Sequence, residues 1–195
     1  ANALTLPVAT NSPLARALSG FSYGDCLLES DDPTLEFSYT VTAETAVQSR
    51  VVRQVNGGWD WQNAATFLDD GDMAGGLLTP GRKPRELTLD GILAGESGYM
   101  MLQVFAVTGS EVILCSERLL AVRPASVEPS VTLSAENAEF DASVRRELVL
   151  EARINVPAEI TVCIYDAQGK LVRRLASAQL TRPAPGNVTR LYWDG

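Results

Sequence analysis

The chain has 195 residues, room for one large domain or two small ones, and 46% of them are hydrophobic, so packed cores are available and disorder is excluded. Its 16 Lys and Arg against 24 Asp and Glu leave a net charge of −8, which offers no general attraction to phosphate backbones or anionic membrane and sets nucleic acid aside as a partner. Histidine is absent, which closes Ser-His-Asp and Cys-His catalysis and removes the commonest zinc ligand.

The N-terminus, ANALTLPVAT, carries neither a basic n-region nor an initiating Met, as expected of a mature or trimmed chain whose signal peptide or anchor lies outside it. No apolar run approaches the roughly 18 residues of a membrane span, so membrane insertion by this segment is not expected. Leu35, Phe37, Tyr39 and Val41 alternate with Glu36, Ser38 and Thr40; that is the pattern of a half-buried strand.

The segment GGWDWQNAATF, residues 57–67, holds the best candidate binding patch. On an extended strand Trp59 and Trp61 share one face, with Asp60, Gln62 and Asn63 adjacent, and flat aromatics beside amides suit stacking on sugar rings or docking a peptide. Packing of both indoles over the end of a sandwich or against a linker is the alternative. In LDDGDMAGG, residues 68–76, Asp69, Asp70 and Asp72 could supply hard oxygen ligands to calcium, although the spaced ligands and closing Glu of an EF-hand are missing and a solvated acidic loop fits as well. GGLLTPGRKP, residues 75–84, has the glycines and lysine of a phosphate loop, but Pro84 stands where Ser or Thr should hold magnesium, so it reads as a turn.

Strands follow at Leu87–Leu89, Met100–Val107 and Val112–Leu120. AVRPASVEPS, residues 121–130, then interrupts the pattern with two prolines and small residues, a short stiff linker that divides the chain into domains at 1–124 and 126–195. Strand patterns resume at Val131–Leu133, Leu148–Ile154, Ile160–Ile164 and Leu171–Leu175. Many short alternating strands punctuated by Gly, Pro, Asn and Asp predict an all-β chain of tandem immunoglobulin-like or fibronectin-like β-sandwiches. Cys26, Cys115 and Cys163 lie far apart without a CxxC, so metal knuckles and thioredoxin-type redox motifs are not expected; a Cys26–Cys115 disulfide and three buried thiols both fit.

The halves align with each other. LEFSYTVTAETAVQSRVV (35–52) lies beside LVLEARINVPAEITVCIY (148–165) without a gap, and PGRKPRELTLDG (80–91) beside PGNVTRLYWDG (185–195) with one residue omitted. Shared order and apolar phase indicate a repeated module. In the first half, residues 99–122 then form a hairpin that completes a sheet, and no matching segment follows in the second. The second sandwich is therefore expected to lack closing strands, leaving an open edge and an apolar groove near Val162, Ile164 and Trp193. Self-association through that domain, or recruitment of residues 1–12, would follow.

ITVCIYDAQGKLVRRL (160–175) followed by LYWDG (191–195) resembles the immunoglobulin-like module of the flagellar hook-capping protein type, over about residues 130–195. In it Asp166 bonds backbone donors of a turn, Gly169 supplies a positive φ, and Trp193 offers a large core or edge surface. A bulge or strand end is expected near Arg173 and Arg174, and Cys163 should lie on a partly covered face. The resemblance implies a fold and a setting, in secreted or surface-attached bacterial proteins, and no reaction. Catalytic residues and cofactors are accordingly not expected. The reading is a non-catalytic extracellular or cell-surface module acting in adhesion, spacing or assembly, with a protein or glycan at the cell surface, other domains of the parent chain, or a second copy as partner; a hook-capping-like scaffold or a carbohydrate-binding accessory of a larger enzyme are the alternatives.

Overall fold

A computed structural model describes residues 12–69, 71, 76–90, 98–135, 141, 143, 147–183, 186 and 188–194. Among them regular structure is almost entirely β. In the first half the strands are β1 (Leu18–Tyr23), β2 (Leu27–Glu29), β3 (Thr34–Val41), β4 (Ala46–Val55), β5 (Gly58–Trp59), β6 (Ala65–Leu68), β7 (Gly81–Thr88), β8 (Gly98–Thr108) and β9 (Glu111–Arg123).

One sheet has the order β1-β3-β7 and the other β2-β9-β8-β4-β5, with β6 also paired to β4. The short β2 runs parallel to β9 and the remaining pairs are antiparallel. This is the strand arrangement of an immunoglobulin-like sandwich. The alternation of Leu35, Phe37, Tyr39 and Val41 is the buried face of β3, and it shares one core with Val47 and Val51 of β4 and with Leu102, Val104 and Ala106 of β8. Residues 99–122, expected to form a completing hairpin, lie within β8 and β9, and β8 pairs along β4 from Ala46 to Arg53.

A polar junction fastens the two sheets together. Tyr39 on β3 and Arg85 on β7 both face inward, and after β6 the chain brings Asp69 between them. The Tyr39 hydroxyl donates to Asp69 Oδ2, Arg85 Nε donates to the same oxygen at 2.6 Å, and the guanidinium lies 5.6 Å from the centre of the Tyr39 ring. The Asp69 side chain is only 6% exposed, so its charge is admissible because a cation and a hydroxyl meet it. Burial works against the charge of Arg85, but hydrogen bonding and attraction to Asp69 outweigh it and raise its pKa.

A second, smaller core involves β10 (Val131–Ala135), β11 (Leu148–Ile154), β12 (Glu159–Tyr165), β13 (Leu171–Leu180) and β14 (Val188–Trp193). Its sheets are β10-β11-β14 and β12-β13. β10-β11-β14 repeats the antiparallel order of β1-β3-β7, and β12 with β13 repeats β4 with β6. In one detail the repeat alignment is displaced. Leu35 pairs with Leu87, whereas Leu148 pairs with Trp193 and Leu150 with Leu191. A displacement of two residues keeps the same faces inward.

Nothing equivalent to β8 and β9 is present among the described residues here. β12 is paired along β13, and among the described residues no strand lies on its other edge. On β10, Val131 and Leu133 sit opposite Ile154 and Ala152, both buried, so they point to the core side, yet they are 59% and 51% exposed. The stretch from residue 124 to 130 carries no strand; Asn155 ties it down, its Oδ1 accepting from Ser130 N at 2.7 Å and its Nδ2 donating to Glu128 O at 3.2 Å. The Tyr99 and Thr181 hydroxyls meet at 2.7 Å, and Thr181 Oγ1 also accepts from Ala158 N.

Removing the shared carboxylate in Asp69→Ala strands an inward arginine and a buried hydroxyl; it is expected to lower stability by about 2 kcal/mol in chemical denaturation. Burial is the first cause raising the pKa of Tyr23, Tyr39 and Tyr99, with the Asp69 hydrogen bond and charge adding to it at Tyr39. These protons are bound more tightly in the folded state, so stability is full below the ordinary tyrosine value of about 10 and is lost as pH climbs through the raised ones. Melting temperature should fall above about pH 10, and less steeply in Tyr39→Phe.

Candidate functional site

The patch predicted at Trp59–Asn63 is built by two turns. Asn56 and Gly57 both have positive φ, 51° and 80°, the requirement of a type I′ hairpin, and they fold β5 back on β4 so that Trp59 lies opposite Gln54. Asp60 N then donates to Arg53 O at 2.9 Å, and Trp61–Asn63 wind into a 3-10 turn, with Asn63 Nδ2 donating to Asp60 Oδ2 at 2.8 Å. The two indoles therefore do not alternate along one strand: the extended conformation ends at Trp59. Trp59 is half-buried, Trp61 is 49% exposed, and Gln62 and Asn63 are exposed.

Trp61 belongs to a row of side chains that the sequence pattern did not single out. The Arg50 guanidinium lies 5.5 Å from the centre of the Trp61 ring and 4.9 Å from that of Phe105. Its Nε and Nη2 donate to Gln103 Oε1 at 3.1 and 2.6 Å, and Gln103 Nε2 donates to Glu117 Oε2 at 2.7 Å. Arg50, Gln103 and Glu117 are cross-strand neighbours on β4, β8 and β9. They occupy the sheet face opposite Val51 and Leu102, because neighbouring residues on a strand point to opposite faces. One signal was available: Val47, Ser49 and Val51 mark the inward phase of β4, which leaves Arg50 outward. The row orders Trp61 and leaves a partly exposed indole beside two amides, a surface suited to stacking.

Asp69, one of three residues proposed for calcium, has its carboxylate engaged by Tyr39 and Arg85. Asp70 and Asp72 lie outside the described residues. Among the described residues no three Asp, Glu or Cys side chains gather into a set able to hold a metal ion. No described helix is long and apolar enough to cross a membrane.

At the β12–β13 hairpin, Asp166 Oδ1 accepts from Gln168 N at 3.0 Å and Lys170 N at 2.8 Å, and Gly169 has φ 79°. The side chain thus satisfies donors that the turn cannot pair, and glycine takes a conformation closed to most residues. Trp193 ends β14, half-buried, and Arg173 Nη1 reaches Asp194 Oδ1 at 2.7 Å beyond it. The irregularity expected near Arg173 and Arg174 is larger than one bulge. The pairing slips at three places, so that Val172, Leu175 and the pair Ser177–Ala178 have no residue in register opposite them on β12.

The three cysteines are free thiols. Cys26 is buried, with its Sγ 3.2 Å from Arg118 Nε; burial raises the pKa of Cys115, in part offset by a backbone hydrogen bond at Ala106; and Cys163 is half-buried on β12. No protein-family model and no curated protein matches this chain.

Thiol titration is expected to count three reactive groups in denaturant. Without it Cys26, buried in the core, should stay unreactive because the reagent cannot reach it, and Cys115 should react slowly because burial raises its pKa; a single reactive group in denaturant would mean an intrachain disulfide.

Proposed function

We propose that this chain is a non-catalytic tandem β-sandwich module of a secreted or cell-surface bacterial protein, acting in assembly and spacing, and that its second half works by accepting β-structure along β12. The carrying observation is the exposure of Val131 and Leu133 on the core-facing side of β10. Two further features support it: the edge of β12, unpaired among the described residues, and the first half's own solution, in which β8 pairs antiparallel with β4 and β9 continues the sheet. Apolar side chains that already point inward gain on the order of 1 kcal/mol each when covered. Main-chain hydrogen bonds along a strand edge add affinity, and the alternate side chains set register.

The fitting occupant is an extended segment, antiparallel to β12, that lays alternate apolar side chains over Val131, Leu133, Val162 and Ile164. The resemblance to the hook-capping type of immunoglobulin-like module agrees with this reading, since such modules hold neighbouring parts in place. A second copy of the chain can present its own β12 in this way. EITVCIY paired antiparallel about Val162 sets Ile160 opposite Ile164 and places no like charges opposite each other.

Light scattering over a concentration series is expected to show reversible association of the 195-residue chain, with the amides of β12 gaining protection from hydrogen exchange as it associates. Leu133→Lys puts a charge on an already exposed position and should leave the fold intact while holding the chain monomeric. A wild-type chain that remains monomeric at every concentration would overturn the strand-accepting role.

A further inference from the structure

A cleft of about 710 Å³ lies between Glu117–Leu119 of β9 and the stretch from Arg174 to Arg182, which covers the second part of β13 and its exit. Its volume falls within the range of roughly 300–1,000 Å³ typical of small-molecule sites. Three arginines line it, Arg118, Arg174 and Arg182, against one acid, Glu117. In a chain of net charge −8 that is a local reversal of sign.

The cations are not consumed by internal pairing. Arg174 and Arg182 are exposed, and no acidic partner engages either among the described residues. Glu117 already accepts from Gln103. Arg118 is positioned from the other side, with its Nε at Cys26 Sγ and its guanidinium 5.6 Å from the centre of the Tyr23 ring. Guanidinium groups without partners on the wall of a cleft suit carboxylates, which they bind through paired, planar donors.

The wall is also strained where it faces the cleft. Ala178 has φ 44°, a conformation costly for a residue with a Cβ. The Ser177–Ala178 bulge is held by Ala178 N donating to Thr161 Oγ1 at 3.0 Å. Such outliers gather at binding sites, and this one has a chemical consequence. The repeated slips between Leu175 and Ala178 break the regular row of N–H and C=O groups that an added peptide strand needs, so recognition falls to side chains: arginines, the Ser177 hydroxyl and the Gln179 amide. Hydroxyl and amide groups beside carboxylate receptors match a ring that carries both hydroxyls and an acid.

We propose that this cleft is a binding site for an acidic saccharide of the uronic acid class. Arg174 and Arg182 bind its carboxylates, and Ser177 and Gln179 bind its ring hydroxyls. The site is independent of the open edge of β12, so it stands or falls separately from the strand-accepting role.

Calorimetric titration with oligogalacturonate, with its fully methyl-esterified form and with a polyglutamate peptide tests this. Expected are binding of the oligogalacturonate that weakens as salt is raised, no binding of the neutral ester, and loss of at least about tenfold in affinity in the double variant Arg174→Gln/Arg182→Gln. The control Arg153→Gln/Arg190→Gln alters two arginines already paired with Glu151 and should bind as the wild type does. Circular dichroism keeps the comparison to folded chains; all four arginines are exposed. Absence of binding at millimolar oligogalacturonate, equal binding of the ester, polyglutamate bound as tightly, or equal loss in the control would each overturn the proposal.

Discussion

A β-sheet can hide the apolar side chains of one face only where another layer lies over it, and this coverage condition governs both halves of the chain. In the first, β8 and β9 extend the sheet that begins at β4, and every inward residue of β3, from Leu35 to Val41, is buried beneath it. In the second, the strands that oppose β10-β11-β14 among the described residues are β12 and β13. The centre is covered, with Ala152 and Ile154 buried, while the flank at Val131 and Leu133 is not. A strand's alternation thus specifies which side chains should be inside, and the extent of the opposing sheet decides which of them are.

Coverage alone does not hold two sheets in one relation, and the first half adds a polar fastening at Tyr39, Asp69 and Arg85. Its members come from β3, β7 and the chain just after β6. The interaction is conditional: removing any one member leaves the others with unmet hydrogen-bonding capacity in a place water reaches poorly. Its two hydrogen bonds to one carboxylate oxygen are met only when β3, β7 and the chain just after β6 are brought together. The same carboxylate, seen as sequence, was a candidate for calcium; in the fold its neighbours already supply the positive charge.

Charge is distributed unevenly for a related reason. Most arginines on the sheets are bound to an acid or amide close by, as Arg50 is to Gln103, Arg123 to Glu29 and Arg173 to Asp194. Where the pairing of β13 with β12 slips, Val172, Leu175, Ser177 and Ala178 have no register partner, and Arg174 stands opposite Cys163 rather than an acid. Arg174 and Arg182 then face a cleft beside β9. Irregular pairing and unpaired charge coincide there, and that coincidence separates this surface from the well-paired faces elsewhere.

By itself the sequence determined the β class, the inward phase of β3, β4, β11 and β12, the Asp166–Gly169 turn and the order of the repeated strands, because period-two alternation and turn chemistry are local properties carried by adjacent residues. The hairpin at β8 and β9 was also legible, since its two strands are joined by a tight turn. The relation of Trp59 to Trp61 was not: strict alternation was expected there, but the chain leaves the strand after Trp59 and winds into a 3-10 turn at Trp61–Asn63. Only tertiary structure could bring Arg50 to Trp61, Asp69 to Arg85, and Arg118 to the same cleft as Arg174 and Arg182. Such meetings join residues 11, 16 and more than 50 positions apart, and their geometry is set by how sheets stack and how far each extends, quantities that no local periodicity encodes.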